Sequence, residues 1–285
     1  MLKRCLLFTL LAGIAGSSHA SETSISFGGF YSHSDSTMNV TNPSLGNDFE
    51  LDFESDLELA EKQFLPFFEL EHQFAENHHF YVDWKQLHRN AETQALSKPF
   101  QVQIDDTVYD VKAGGQLTTT LNIDIARIGY GYDFIQGNNY TVGVSVGIHA
   151  MFIKTGFEGT IGACNITDVV GNICAVQEIP SIIDESVTAP LPDIGIYGSY
   201  HISPRWQLSA HAQYFKIKLD DVEGSLIDVR AGAEAEIAKN WFMSAAFNYY
   251  KVDVDIEQTG DSTGIADYNV AYSFIGPMLS ISYKF

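Results

Sequence analysis

Residues 278–285 read Met278-Leu279-Ser280-Ile281-Ser282-Tyr283-Lys284-Phe285. Leu279, Ile281, Tyr283 and Phe285 fall at alternate positions, with Ser280, Ser282 and Lys284 between them. A period of two belongs to an extended strand, whose successive side chains point to opposite faces. One face of this strand is wholly apolar, and it runs to the last residue. The same period returns upstream. On 225–238, Ile227, Val229, Ala231, Ala233, Ala235 and Ile237 share one face, and Asp228, Arg230, Gly232, Glu234 and Glu236 share the other. On 205–219, Trp206, Leu208, Ala210 and Ala212 oppose Gln207, Ser209, His211 and Gln213. On 191–202, Ile194, Ile196, Tyr200 and Ile202 oppose Asp193, Gly195, Tyr197, Ser199 and His201. Alternation alone does not say whether the apolar face turns into a core or out toward lipid.

The other end of the chain narrows the choice. Lys3 and Arg4 precede an apolar run from Cys5 to Gly16, and Ser18-His19-Ala20 supplies small residues before Ser21. That order reads as an export signal, and its apolar run is too short for a membrane-spanning helix. The best later apolar stretch, Tyr140 to Phe152, alternates with Thr141, Gly143, Ser145, Gly147 and His149, so it too reads as a strand. With its export signal and its alternating aromatic strand closed by Phe285, the chain resembles the Gram-negative outer-membrane β-barrel proteins. The resemblance implies a signal peptide over 1–20 and an antiparallel transmembrane β-barrel over 21–285, placed in the outer membrane. It also implies that Leu279, Ile281, Tyr283 and Phe285 form the signal read by the barrel assembly machinery. The remaining expected partners are outer-membrane lipid and lipopolysaccharide.

Composition agrees with an ordered, exported wall and excludes other classes. Of 285 residues, 45% are hydrophobic and 13% aromatic, too many for a disordered chain. Acidic residues outnumber basic ones 36 to 16, for a net charge of −20, which disfavours nucleic acid as a partner.

Alternating segments are expected at 24–34, 63–74, 79–89, 117–134, 140–156, 191–202, 205–219, 225–238, 241–256 and 268–285. Short connections at 75–78, 136–139, 203–204 and 238–240 alternate with long or acidic ones, as periplasmic turns alternate with extracellular loops. This gives ten strands, an even number, with both termini on the periplasmic side. Residues 48–59 also alternate, with Phe49, Leu51 and Phe53 between acids, but an eleventh span would misplace one terminus. They are therefore expected to extend the first hairpin outside the membrane. Twelve strands, with Phe100 to Val111 contributing, is the alternative count. Tyr130, Tyr132, Phe134, Trp206, Trp241, Tyr283 and Phe285 lie near the short turns, as an interfacial aromatic girdle does.

A barrel this narrow is filled by its own side chains. The inward positions hold Glu69, Glu71, Asp83, Lys85, Arg127, Asp228, Arg230, Glu234 and Glu236. Buried in one lumen, the three bases must each meet a carboxylate. The excess of acids would favour cations if water passed through. Cys164 and Cys174 remain after the signal is removed, and an even pair in an oxidising compartment is expected to form a disulfide. No cofactor or metal is expected.

Catalytic signatures are sparse. The chain contains no P-loop and no His-Glu-x-x-His. His149, His201 and His211 fall on inward faces, and His78 and His79 in an expected turn. His88 and Asp124 share an outward parity on neighbouring strands near the outer leaflet, where a base and its orienting acid could serve a lipid hydrolase. Thr120 is the nearest, weak candidate nucleophile. Asp105, Asp106 and Asp110, and Asp253, Asp255, Glu257 and Asp261, form acidic loop rims. The expected function is a non-catalytic barrel, either a narrow cation-preferring or loop-gated channel or a surface-binding protein. The alternative is a lipid-modifying hydrolase using His88 and Asp124.

Overall fold

The computed structural model describes residues 22–42, 47–93, 100–104, 107–111, 116–165, 169–170, 173–174, 179–219, 222–256 and 267–285. The expected signal peptide and the acids at 105, 106, 257 and 261 lie outside them. Fifteen strands are present and no helix occurs among the described residues. They are β1 (Glu22–Asn42), β2 (Asn47–Asp52), β3 (Lys62–Ala75), β4 (His78–Thr93), β5 (Phe100–Ile104), β6 (Thr107–Val111), β7 (Leu117–Gln136) and β8 (Tyr140–Asn165), followed by β9 (Val169–Val170) and β10 (Ile173–Cys174). The rest are β11 (Ile179–Ser203), β12 (Trp206–Leu219), β13 (Val222–Ala238), β14 (Trp241–Ile256) and β15 (Asp267–Lys284).

Ten of these close into one antiparallel wall, in the order β1, β3, β4, β7, β8, β11, β12, β13, β14, β15 and back to β1. Each has a counterpart among the ten expected segments. Thr23 and Phe285 exchange both backbone hydrogen bonds at 3.0 Å, so the last residue closes the ring. β2 pairs only with the outer end of β1, and the β5–β6 hairpin only with the outer end of β8. Residues 48–59 and 100–111 therefore add no membrane span. At one periplasmic turn Asn240 takes φ 65°, a left-handed conformation that Asn tolerates better than most residues.

The outward side chains settle which way the apolar faces turn. Ile194 and Ile196 are 66% and 63% exposed, and Leu279 and Phe285 are 61% and 56% exposed. Buried Ser280 and Ser282 lie on the opposite face. An apolar belt of this kind is stable only against lipid.

The period of two persists up each strand, but its hydrophobic phase reverses. On β7, Ile128, Tyr130, Tyr132 and Phe134 point outward, whereas farther up Leu117, Leu121, Ile123 and Ile125 are buried inside. The polar Asn122 and Asp124 take the outward positions there. β14 does the same, with Met243 and Phe247 exposed below, and Tyr250 and Val252 buried above. A lipid-facing wall thus becomes a water-facing one with an apolar interior. The outer half stands above the membrane as a lobe with its own core.

Two breaks in the ladder flatten that lobe. β3 and β4 pair only as far as Phe67↔Lys85, and β11 and β12 only as far as Ile194↔Tyr214. Pro66 sits beside the first break, and Pro190 and Pro192 beside the second. The ladders to β1 and β8 run through these prolines without interruption, so the missing N–H donors fall on the broken side. Above the breaks, β4-β7-β8-β11 faces β12-β13-β14-β15-β1-β3 like two sheets of a sandwich. The side-chain amide of Gln63 donates to the carbonyl of His88 across one seam. At the other seam β11 above Ile194 has a ladder partner on one side only among the described residues, and prolines at such an edge disfavour pairing with another chain. Replacing Pro190 and Pro192 by Thr should restore these donors and increase self-association, measured by light scattering of the refolded protein. Unchanged scattering would assign the prolines to the bend alone.

The connection between the expected strands 140–156 and 191–202 is largely ladder, since β8 and β11 pair up to Ile161↔Ile179. The backbone of Cys164 lies on β8 opposite Val108, and that of Cys174 on β10 opposite Val169. Their side chains lie outside the described residues, and the disulfide remains an expectation.

Candidate functional site

Three layers fill the lumen. At the periplasmic end is a cavity of 480 Å³, open between the strand ends and lined by Ser26, Ser145, Ser209, Ser244, Ser280 and Ser282 among others. Small side chains create the space: Ser26 and Ser282 bond at 2.8 Å, and Ser244 and Ser280 at 2.5 Å. Lys284 donates to Glu234 at 2.5 Å near the mouth, and Glu71 stands 3.9 Å from His79. Glu236 makes no ion pair among the described residues.

Above lies a belt of charge. Arg127 binds Asp83 through Nε and donates to Gln213 at 2.7 Å through Nη1, with its guanidinium 4.6 Å from the Tyr81 ring centroid. Lys85 lies 3.7 Å from Asp228 and 4.0 Å from Asp83. Asp228 also accepts from Asn248 at 2.7 Å, and His211 approaches it at 3.8 Å. Arg230 donates to Glu69 at 2.5 Å across the barrel. His149 stands between Asp193, at 3.3 Å, and the hydroxyl of Tyr250, at 3.4 Å. Each of Arg127, Arg230 and Lys85 has a carboxylate, in pairings that sequence parity alone does not assign. Lys284 belongs to the same set but escaped the sequence reading, because it sits between the aromatics of the terminal strand.

The third layer is apolar. Leu87, Leu121, Ile123, Met151, Leu226, Tyr250 and Val252 pack across the lumen, each at most 2% exposed. Leu51 of β2 and Phe53, Leu57 and Leu59 after it are added as a stopper. Arg89, buried beneath it, bonds the carboxylate of Glu54 and donates to Ser36 at 2.5 Å, and Thr93 donates to the carbonyl of Leu57 at 3.0 Å. Sequence reading missed this layer, although the reversed phase of Leu121-Asn-Ile-Asp-Ile125 announces it.

On the outside, His88 Nε2 and Asp124 Oδ1 lie 3.1 Å apart, with both side chains partly exposed. They stand just above the stacked rings of Trp84 and Phe152, whose centroids are 6.1 Å apart at the upper edge of the apolar belt. Thr120 pairs in register with Asn90, one outward position beyond Asn122. Among the described residues no hydroxyl is hydrogen-bonded to the His88 ring. His78 and His79 open β4 instead of forming a turn: His78 Nδ1 meets the Tyr130 hydroxyl at 2.5 Å, and His79 is buried against Tyr197.

Gly143-Val-Ser145-Val-Gly147 matches the Gly-x-Ser-x-Gly pattern, but its serine lies in mid-strand and points into the lumen. A nucleophile elbow needs a sharp strand-to-helix turn. His149 is also roughly 13 Å up the same strand, too far to activate it.

No family model matches the chain, and no curated protein matches it. Among solved structures, the outer membrane protease OmpT from Escherichia coli superposes with a TM-score of 0.54 at 10% identity, covering 93% of this chain and 97% of that one. The Pseudomonas putida toluene transporter TodX gives 0.36 at 10% identity, covering 92% and 90%. Ail, the attachment invasion locus protein of Yersinia pestis, gives 0.31 at 12% identity, covering 93% and 99%. At these identities the likeness concerns fold alone. A closed ten-stranded antiparallel wall with an apolar outer belt is the fold of the Gram-negative outer-membrane β-barrels, and the outer membrane is where such a wall is stable.

Proposed function

We propose that the protein is a non-catalytic, non-conducting outer-membrane barrel that displays its outer lobe and loops for binding at the cell surface. The observation that carries this reading is the apolar layer from Leu87 to Val252, stoppered by Leu51 and Leu57. Ions cross a membrane where polar groups or water replace their hydration, and a packed hydrocarbon layer offers neither. Arg127, Arg230, Lys85 and Lys284 below it each meet a carboxylate, which suits a structural filling. Purified protein in planar bilayers should give no conductance steps. Regular steps with cation preference would overturn the closed reading and restore the channel.

A second reading, a lipid-modifying hydrolase, is favoured by the 3.1 Å contact of His88 with Asp124 on the lipid-facing side. A base held by an acid at that depth matches half of a catalytic triad. Mass spectrometry of membrane lipid after expression tests it. New lyso or deacylated species that vanish in His88→Ala would establish catalysis, and identical lipid profiles would dismiss it.

A further inference from the structure

We propose that the periplasmic cavity is a binding site for a polyhydroxylated ligand, a sugar ring that enters from the periplasm. Such a site lies at the lower mouth of the barrel, apart from the displayed outer lobe. Its volume of 480 Å³ falls within the roughly 300–1,000 Å³ of small-molecule pockets. The cavity has a floor, because Arg127, Asp83 and Gln213 close the lumen above it through their mutual contacts. Below, it opens between the strand ends, where Glu71, Glu234 and Lys284 stand.

The lining selects the ligand. One row across the wall carries Glu71 on β3, Ser24 on β1 and Lys284 on β15. The next row toward the belt carries Glu69, Ser26 and Ser282. Adjacent strands stand about 4.8 Å apart, so a carboxylate, a hydroxyl and an ammonium share a span of about 10 Å. The Glu71 side chain is 60% exposed, into the cavity, with His79 at 3.9 Å. Lys284 gives one donor to Glu234 at 2.5 Å, and an ammonium has three. A simple anion bound to Lys284 would face Glu71 and Glu234, and a simple cation bound to Glu71 would face Lys284 across Ser24. Hydroxyl groups both donate and accept, so a polyol satisfies the whole row. The opposite wall supplies an apolar surface. β11 stands across the ring from β1, and its Tyr197 borders the cavity. That ring lies against Gly143, where any Cβ would collide with it, and its hydroxyl donates to Asp133 at 2.5 Å. An aromatic ring fixed in this way can pack against the C–H face of a sugar.

The test uses the full barrel in a detergent without a sugar headgroup, so that the micelle does not compete. Saturation-transfer NMR records the binding of N-acetylglucosamine, a soluble cell-wall glycan fragment, spermidine and inorganic phosphate. At least one carbohydrate should receive saturation, and the two ions should not. Equal affinity for the monosaccharide and the fragment would assign a free sugar, and a preference for the fragment would assign the wall glycan. Glu71→Gln should weaken carbohydrate binding by about tenfold, the scale of one hydrogen bond to a charged group. Ser209→Phe should abolish it, because a ring then fills the cavity while every ion-pair partner is kept. Ions saturated as strongly as the carbohydrates, no carbohydrate bound, or unchanged binding in both variants would overturn the proposal. Heat-modifiable migration of the same samples reports the barrel separately, so loss of the fold cannot pass for loss of the site.

Discussion

Arg127→Ala should destabilise the barrel by about 3–5 kcal/mol, the usual cost of stripping one partner from a buried ion pair. The guanidinium is shared between Asp83 and Gln213 and packs over Tyr81. Its removal leaves the Asp83 carboxylate, 1% exposed, with Lys85 at 4.0 Å as its remaining ion-pair partner. The measurement is the temperature or urea concentration at which the folded, fast-migrating form disappears. Arg230→Ala should cost less, because Arg230 and Glu69 keep 16% and 24% exposure beside the cavity and water can replace part of the lost pair. Replacing Arg127 and Asp83 together by Leu should recover much of the loss, since no charge is then stranded. Equal stability of wild type and Arg127→Ala would mean that water reaches the belt, and the closed lumen would fall with that result.

Deleting Phe285 should abolish most folded, membrane-inserted protein. Two effects coincide at this residue. Its backbone exchanges both hydrogen bonds with Thr23, at the seam where the last strand meets the first. Its ring joins Tyr283 and Trp241 in the periplasmic girdle, with centroid separations of 5.7 Å and 5.1 Å along the chain of contacts. Phe285→Ala separates the two, because it keeps the backbone pair and removes the ring. A deletion far worse than the alanine variant assigns the effect to closure; equal defects assign it to aromatic recognition during assembly. Normal yield from the deletion would sink both.

The wall itself was legible in the sequence because a lipid-facing strand writes its environment twice, in period and in phase. Ile194, Ile196, Leu279 and Ile281 alternate with small or polar partners, and each points outward in the structure. What was harder to read is a strand that changes environment along its length. Residues 117–134 keep one unbroken period, and only a comparison of Leu121 and Ile123 with Tyr130 and Tyr132 shows that the apolar face has changed sides. The His88–Asp124 contact was accessible from parity and strand register alone. The partners of Arg127 and Arg230 were not. Gln213 reaches Arg127 from β12, across the lumen, and Glu69 reaches Arg230 from β3, and no local pattern ties such distant positions.

The proline-marked seams give the outer lobe a particular kind of freedom. Below them every strand is bonded to both neighbours, so a change in one position strains the whole ring. Above them the two sheets meet through side chains, among them Gln63, Arg89, Thr93 and the packed Leu and Ile residues, so a substitution there alters side-chain contacts without breaking a closed ladder. Substitutions in the outer lobe can then be absorbed by neighbouring side chains, while the hydrogen-bonded ring of the membrane-embedded half is left intact.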